Sequence, residues 1–164
     1  MVCSTTGEVA LGTLHGSGAT VDAAVPGIVG AAMGGDGTLY LVTADEHLAT
    51  VPPGSSTVVQ VDWPSEWTGS VVADGLAAVQ SGTQIVIAQT NEAGAWLRVT
   101  KTSDMSQRQS VQLAGIPNGG IVAMWPFAYY AVSSTIRHVD LTSGLLETMA
   151  DVGPEAAAGA VVNG

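Results

Sequence analysis

Positive charge is the scarcest property of this sequence. Its 164 residues contain four lysine and arginine side chains against fourteen aspartates and glutamates, for a formal net charge of −10. The four cations are Arg98, Lys101, Arg108 and Arg137, so residues 1–97 contain none. Such a surface repels nucleic-acid phosphates and anionic lipids. We therefore expect no nucleic acid and no membrane insertion, whereas a protein or a carbohydrate partner stays open.

Cysteines and long apolar runs are also scarce. Cys3 is the single cysteine, which excludes an internal disulfide and a metal site built from cysteines. No stretch approaches the roughly 18 apolar residues of a membrane helix. The first residues lack the basic start and apolar core of a signal peptide. The sequence therefore leaves the location open, with an extracytoplasmic site favoured if a leader was removed.

Helix signals are almost absent, and short strands take their place. The 21 glycines and 7 prolines are spread along the whole chain, and they separate short segments rich in Val, Ile and Thr. Ser70–Val72 and Leu76–Gln80 are two such segments, predicted as separate strands. Turn residues recur at intervals of about ten, which is typical of a sandwich, a barrel or a propeller. The sequence therefore predicts an all-β domain.

Internal repeats distinguish among these architectures. The segments that start at Gly27, Asp74 and Gly119 each pass through small apolar residues and a turn into a more strongly β strand, and two further strands follow. A proline closes each unit, at positions 26, 64, 117 and 154, where the missing N–H does no harm to a strand ladder. This spacing predicts four units of about 41 residues.

The sequence of these units resembles β-propeller blades. STIRHVDLTSGLLETMADVG, residues 134–153, resembles the third and fourth strands of YVTN and WD40-like blades, where an Asp-Leu-x-x-Gly turn joins two strands. GGDGTLYLVTAD, residues 34–45, resembles the first turn of NHL-type blades. The resemblance implies a small propeller of four blades, each with four antiparallel strands, as a single domain over residues 1–164. The predicted blades are residues 27–63, 69–116, 119–153, and 156–164 together with 1–25.

The last predicted blade joins both ends of the chain. Ala160–Val162 form a short apolar segment before an Asn-Gly hairpin signal, and their expected partner is Val2–Thr5. A sheet assembled from both termini leaves no unpaired edge strand. A closed four-bladed monomer is the favoured interpretation. A homodimer of two such chains in an eight-bladed ring, and a half-ring or fragment of a larger propeller, stay open.

The connection VDWPSEWTG, residues 61–69, is the most informative stretch for function. Asp62, Trp63, Glu66 and Trp67 lie between two predicted blades, at one rim of the ring. Exposed indole rings beside carboxylates suit a sugar, since rings stack on C–H groups and carboxylates accept from hydroxyls. The alternative is that Trp63 and Trp67 wedge between neighbouring blades, and this alternative is favoured.

Catalytic and metal-binding patterns are not found in the sequence. It contains no G-x-S-x-G or HExxH motif, and its three histidines, His15, His47 and His138, fall at different depths of their predicted blades. Asp45, Glu46 and Asp140 lie near turns where carboxylates sometimes bind Ca²⁺, although turn formation is the favoured role. We therefore predict no catalytic residues, no metal ligands and no cofactor, with calcium as a weak alternative.

These observations lead to several hypotheses about function. The first is a non-enzymatic binding or assembly module that presents its rim loops to a partner. The second is a lectin or carbohydrate-active enzyme that uses the Trp and carboxylate connection. The third is a structural protomer of a larger assembly. An enzyme is the less favoured class, because no convergent catalytic set is found.

Overall fold

The computed structural model of the protein describes residues 2–3, 9–11, 19–21, 25, 27–55, 57–78, 84–101, 109–118, 120–144 and 146–151. All regular elements in these residues are β-strands, which confirms the all-β prediction. Within the same residues no helix is long and apolar enough to cross a membrane.

The strands form four antiparallel sheets, each of which follows the order of the chain. The three strands of the first sheet are β1 (Val2–Cys3), β2 (Val9–Leu11) and β3 (Ala19–Val21). The second sheet contains β4 (Ile28–Met33), β5 (Leu39–Thr43), β6 (Leu48–Val51) and β7 (Val59–Val61). The third contains β8 (Ser70–Ala78), β9 (Gln84–Asn91), β10 (Gly94–Lys101) and β11 (Gln109–Gln112). The fourth contains β12 (Val122–Met124), β13 (Phe127–Val132), β14 (Thr135–Asp140) and β15 (Leu146–Asp151).

The prediction of two separate strands before β9 is wrong. The structure has one strand there, β8, which pairs with β9 at both of its ends. The register shifts between Val71 and Leu76, as it does in a β-bulge. A bulge inserts extra residues into one strand without ending it, so the Asp-Gly pair at 74–75 does not make a turn.

The strand pair predicted between the two ends of the chain cannot be compared with the structure. β1 pairs with β2 through Val2 and Ala10. Residues 152–164, which include the expected partner of β1, lie outside the described residues. The division into blades and their closure through the termini therefore stay predictions.

The sheets stack face to face through alternate residues of their central strands. Ile85 and Ile87 of β9 pack toward the second sheet, in a cluster with Tyr40 and Leu48. Val86 of β9 belongs to a different cluster that includes residues of the fourth sheet. A strand that is buried on both faces has a continuous apolar sequence, which is what residues 85–88 show.

The first strands of neighbouring sheets approach each other closely. β4 lies against β8, and a Cβ atom placed on Gly30 would stand 3.0 Å from both the Leu76 Cβ and the Val42 Cγ1. This distance is shorter than ordinary van der Waals contact. Glycine at this position therefore allows the second and third sheets to meet along their first strands.

The turn between β14 and β15 is closed by Asp140. Its carboxylate accepts hydrogen bonds from the Thr142 backbone N–H at 2.8 Å and from the Thr142 hydroxyl at 2.6 Å. The Gly144 N–H donates to the Asp140 carbonyl at 2.7 Å, and Gly144 has a φ of +72°. Asp140 thus forms the Asp-Leu-x-x-Gly turn that the sequence indicated.

These hydrogen bonds predict a specific acid sensitivity. The bonds from Thr142 and Ser143 lower the pKa of Asp140 from 3.8 to about 2. Because its pKa is lower in the folded state than in the unfolded state, Asp140 stabilises the fold above about pH 4 and loses this effect as the pH falls to about 2. Carboxyl NMR titration is expected to find this pKa near 2, and Thr142→Ala is expected to raise it. A wild-type pKa near 4 would contradict the turn geometry.

Candidate functional site

Two loops meet at one rim of the sheet stack. The turn between β5 and β6, residues 44–47, and the connection between β7 and β8, residues 62–69, share this rim because successive antiparallel strands reverse direction. The Gly69 N–H donates to the Glu46 Oε1 atom at 3.0 Å and links the two loops. The predicted site residues all lie in the second loop.

The two tryptophans of this connection differ in their exposure to solvent. Trp67 is only 2% exposed and packs among Leu48, Val71 and Ile87 between the second and third sheets. Trp63 is half-buried, and its ring meets Trp67 edge to face, with centroids 5.8 Å apart. The prediction that Trp67 faces a ligand is therefore wrong, because its ring is enclosed in the core. It wedges between neighbouring sheets, as the favoured alternative proposed.

The connection is held rigidly by side-chain hydrogen bonds. The Trp63 Nε1–H donates to the Trp67 carbonyl at 2.8 Å. The Gln89 amide donates to the same carbonyl at 3.2 Å and to the Gly69 carbonyl at 3.0 Å. Gln89 is fully buried in β9, and a buried amide with these bonds fixes the backbone that it contacts.

Arg98 completes this network from β10. It is only 6% exposed, its Nε–H donates to the Gln89 Oε1 atom at 3.1 Å, and its guanidinium lies 5.0 Å from the centroid of the Trp96 ring. Burial lowers the pKa of Arg98, and the nearby carboxylate of Glu66 partly offsets this effect. The sequence analysis missed Gln89 and Arg98 as supports of the connection. Arg98 could have been noticed in the sequence because lysine and arginine are rare in this chain and Arg98 is the first of the four.

A groove runs along the rim beside the connection. One cleft of about 500 Å³ is lined by Asp45, Glu46, His47, Gln60, Val61, Asp62 and Trp63. A second cleft, of about 440 Å³, is lined by Val25, Thr43, Asp45, His47, Ala49, Val58 and Gln60. The two clefts share Asp45, His47 and Gln60 among their lining residues, so they are neighbours at this rim. We refer to these lining residues together as the rim groove.

The rim groove is acidic. Asp45, Glu46 and Asp62 contribute carboxylates, and no lysine or arginine is found among the described residues that line the two clefts. The His47 Nε2 atom lies 3.6 Å from the Asp45 Oδ2 atom, and both side chains are exposed. The pKa of Asp45 is lowered mainly by a hydrogen bond from the Thr43 side chain, and the nearby His47 lowers it to a smaller extent. The carboxylate of Asp45 is therefore charged at neutral pH.

Strand register explains which residues meet in the groove. β6 pairs with β7 so that Leu48 lies opposite Val61, and His47 and Asp62 are the residues just beyond these two strand ends. Asp62 and Trp63 were predicted as site residues, and the structure places both in the groove. Glu66 is exposed on the same connection but is not among the lining residues. The sequence analysis gave His47 and Gln60 no binding role, because their proximity depends on a register that sequence spacing does not reveal.

No group of three or more His, Cys, Asp or Glu side chains with the arrangement of a metal site is found among the described residues. The carboxylates of Asp45 and Asp140 instead accept hydrogen bonds within their own turns. These bonds agree with the turn-forming role that the sequence favoured.

The fold is similar to those of two solved structures with TM-scores above 0.5, and a third solved structure matches more weakly. TolB from Acinetobacter baumannii matches 86% of this chain with a TM-score of 0.60 and 12% identity, and the match covers 36% of TolB. A puromycin-hydrolyzing peptidase from Mycobacterium tuberculosis matches 85% of the chain with a TM-score of 0.53 and 12% identity, over 23% of its own length. The WD40 domain of Toxoplasma gondii coronin matches 74% of the chain and 33% of its own, with 15% identity and a TM-score of 0.45.

The matches concern the fold. The matched region covers between 23% and 36% of the length of each of these three proteins, so this chain corresponds to only part of each of them. No protein-family model matches the chain, and a comparison with curated proteins finds no match either. Together with the four antiparallel sheets, the first two structural matches confirm the predicted β-propeller fold.

Proposed function

We propose that this chain, which has a β-propeller fold, is a non-enzymatic binding module that presents the rim groove to a protein partner. The observation that carries the proposal is the groove itself, whose two neighbouring clefts share Asp45, His47 and Gln60 as lining residues. The hydrogen bonds from Gln89 hold one wall of this groove in place. A site that is ordered before binding loses less conformational entropy when a partner docks.

The charge of the groove indicates the chemistry of the partner. Asp45, Glu46 and Asp62 supply negative charge beside the half-buried indole of Trp63. Carboxylates pair with lysine and arginine, and an indole face attracts the same cations. We therefore propose a basic protein segment as the partner. The net charge of −10 favours its approach and disfavours nucleic acids.

A carbohydrate ligand is the second candidate. Of the two tryptophans that the sugar hypothesis expects to stack on a ligand, only Trp63 lines the groove, beside Asp62, because Trp67 is buried. A sugar site commonly uses an aromatic platform with hydrogen-bonding groups around it. Because only one half-buried ring remains, the geometry supports a protein partner better than a saccharide.

The proposal predicts selective binding of basic peptides. On an array of basic, neutral and acidic peptides of equal length, the protein is expected to bind the basic set at least tenfold more tightly. The variant Asp62→Asn combined with Trp63→Ala is expected to weaken this binding by about tenfold or more, because it removes a charge and the indole face. Fluorescence anisotropy measures both effects.

Asp36→Asn is the matched control, since Asp36 is exposed in the turn between β4 and β5, at the opposite rim. It removes the same charge and is expected to leave the affinity within twofold. Equal weakening by the control and the groove variant would show that net charge alone attracts the peptides. Binding to a glycan array without any peptide preference would favour the carbohydrate alternative.

A further inference from the structure

Glu46, in the turn between β5 and β6, differs from its neighbours in the chain. Asp45 and His47 are exposed, whereas Glu46 is half-buried. Its φ is +67°, in the left-handed region that residues with side chains adopt at a cost. Two backbone hydrogen bonds hold this conformation: the Glu46 N–H donates to the Thr43 carbonyl at 3.2 Å, and the Thr43 N–H donates to the His47 carbonyl at 3.0 Å. The turn therefore fixes where the Glu46 side chain begins.

Gly69, at the end of the connection, is held from two sides. Its N–H donates to the Glu46 Oε1 atom at 3.0 Å, and its carbonyl accepts from the Gln89 amide at 3.0 Å. Glu46 belongs to the second sheet and Gln89 to β9 of the third. A Cβ atom at Gly69 would overlap the Thr90 carbonyl group, so the connection already lies as close to β9 as its backbone allows. The bond to Glu46 thus joins the turn to a segment that the third sheet holds in place.

This bond crosses between two walls of the rim groove. The turn and the connection both contribute residues to the lining of the larger cleft. Without the bond to Glu46, the connection would still be held on the third sheet by Gln89, whereas the turn would follow the second sheet. A hydrogen bond to a carboxylate is stronger than one between neutral groups. The spacing of the two walls therefore depends on Glu46.

We infer that Glu46 is a positioning residue of the rim groove, which holds the turn and the connection at the spacing that a basic segment requires. This inference rests on the proposed function and assigns different roles to the acidic residues of the groove. Asp45 and Asp62 are exposed and supply charge to the partner directly. One carboxylate oxygen of Glu46, in contrast, accepts from the Gly69 N–H, so Glu46 acts on binding through the connection.

The first test compares two substitutions that remove the same charge. Glu46→Gln keeps a side-chain oxygen that can accept from the Gly69 N–H, whereas Glu46→Gly loses it and also relieves the left-handed backbone. Fluorescence anisotropy is expected to find the basic peptides bound about tenfold more weakly by Glu46→Gly, with most of the affinity restored in Glu46→Gln. The melting temperature of Glu46→Gly is expected to stay close to that of the wild type, because the relieved strain offsets the lost bond. Equal weakening by both substitutions would overturn the inference, since the charge alone would then matter.

A second measurement needs no peptide. Hydrogen exchange followed by NMR is expected to show the Gly69 amide exchanging about tenfold faster in Glu46→Gly than in the wild type, with slow exchange retained in Glu46→Gln. The same exchange rate in all three proteins would overturn the inference, because Glu46 would then not hold the connection. If the exchange rates differ as expected but the wild type binds no basic peptide, the proposed function is wrong. The role of Glu46 in binding would be wrong with it, while the hydrogen bond itself would stand.

Discussion

The variant Trp67→Ala is expected to lower the free energy of unfolding by about 3–5 kcal/mol. Trp67 is 2% exposed and fills the space between the second and third sheets beside Leu48 and Ile87. Its removal loses the transfer free energy of the indole and leaves a cavity, because the surrounding strands are hydrogen-bonded and relax only in part. The total free energy of unfolding of a small domain is about 5–15 kcal/mol, so this loss is a large fraction of its stability.

Urea unfolding followed by circular dichroism measures this effect, and Trp125→Ala is the matched control. Trp125 is 46% exposed, and its truncation is expected to change the unfolding free energy by less than about 1 kcal/mol. Equal effects of the two substitutions would show that Trp67 is not a wedge between the sheets. The proposed site would then include both tryptophans of the connection, as the sugar hypothesis assumed.

The variant Gly69→Ala is expected to cost about 2–5 kcal/mol, from backbone strain and steric overlap together. Gly69 has a φ of +125°, which side-chain-bearing residues rarely adopt. A Cβ atom at this position would overlap the Thr90 carbonyl group of β9. The connection would have to move away from β9, and this movement would break the hydrogen bonds that Gln89 donates to Trp67 and Gly69.

Gly54→Ala separates the two causes of this loss. Gly54 also has a positive φ, +69°, but a Cβ atom there would meet nothing within 4 Å. Its substitution is expected to cost only the left-handed backbone strain, about 1–2 kcal/mol. If Gly69→Ala lowered the stability in thermal unfolding no more than Gly54→Ala does, the claim that the connection approaches β9 closely would be wrong.

Gly69→Ala is also expected to weaken the binding of basic peptides, because the connection forms a wall of the rim groove.

Local sequence patterns were sufficient to predict the class of fold. Short segments rich in β-branched residues, separated by glycine and proline, predicted strands, and the recurring prolines predicted the repeat. The bulge in β8 was missed, because an Asp-Gly pair is a turn signal in isolation and pairing with β9 on both sides overrides it. Tertiary pairing of this kind cannot be derived from a local pattern.

The candidate site was predicted in part for a similar reason. Asp62 and Trp63 were found because a tryptophan beside a carboxylate is unusual in a connection, and the structure places both in the groove. Trp63 and Trp67 look alike in sequence, and only the packing of the second sheet on the third decides that Trp67 is enclosed. His47 joins the groove through the pairing of Leu48 with Val61, which no sequence motif specifies.

The central claim, that the rim groove binds a basic protein segment, is tested most directly by NMR titration. A lysine- and arginine-containing peptide from the array is added to ¹⁵N-labelled protein, and backbone amide shifts are followed. We expect the changes to concentrate at residues 45–47 and 60–63, which line the groove. Changes confined to the opposite rim, at residues 34–38 and 52–55, or no changes at peptide concentrations that saturate the array, would contradict the account.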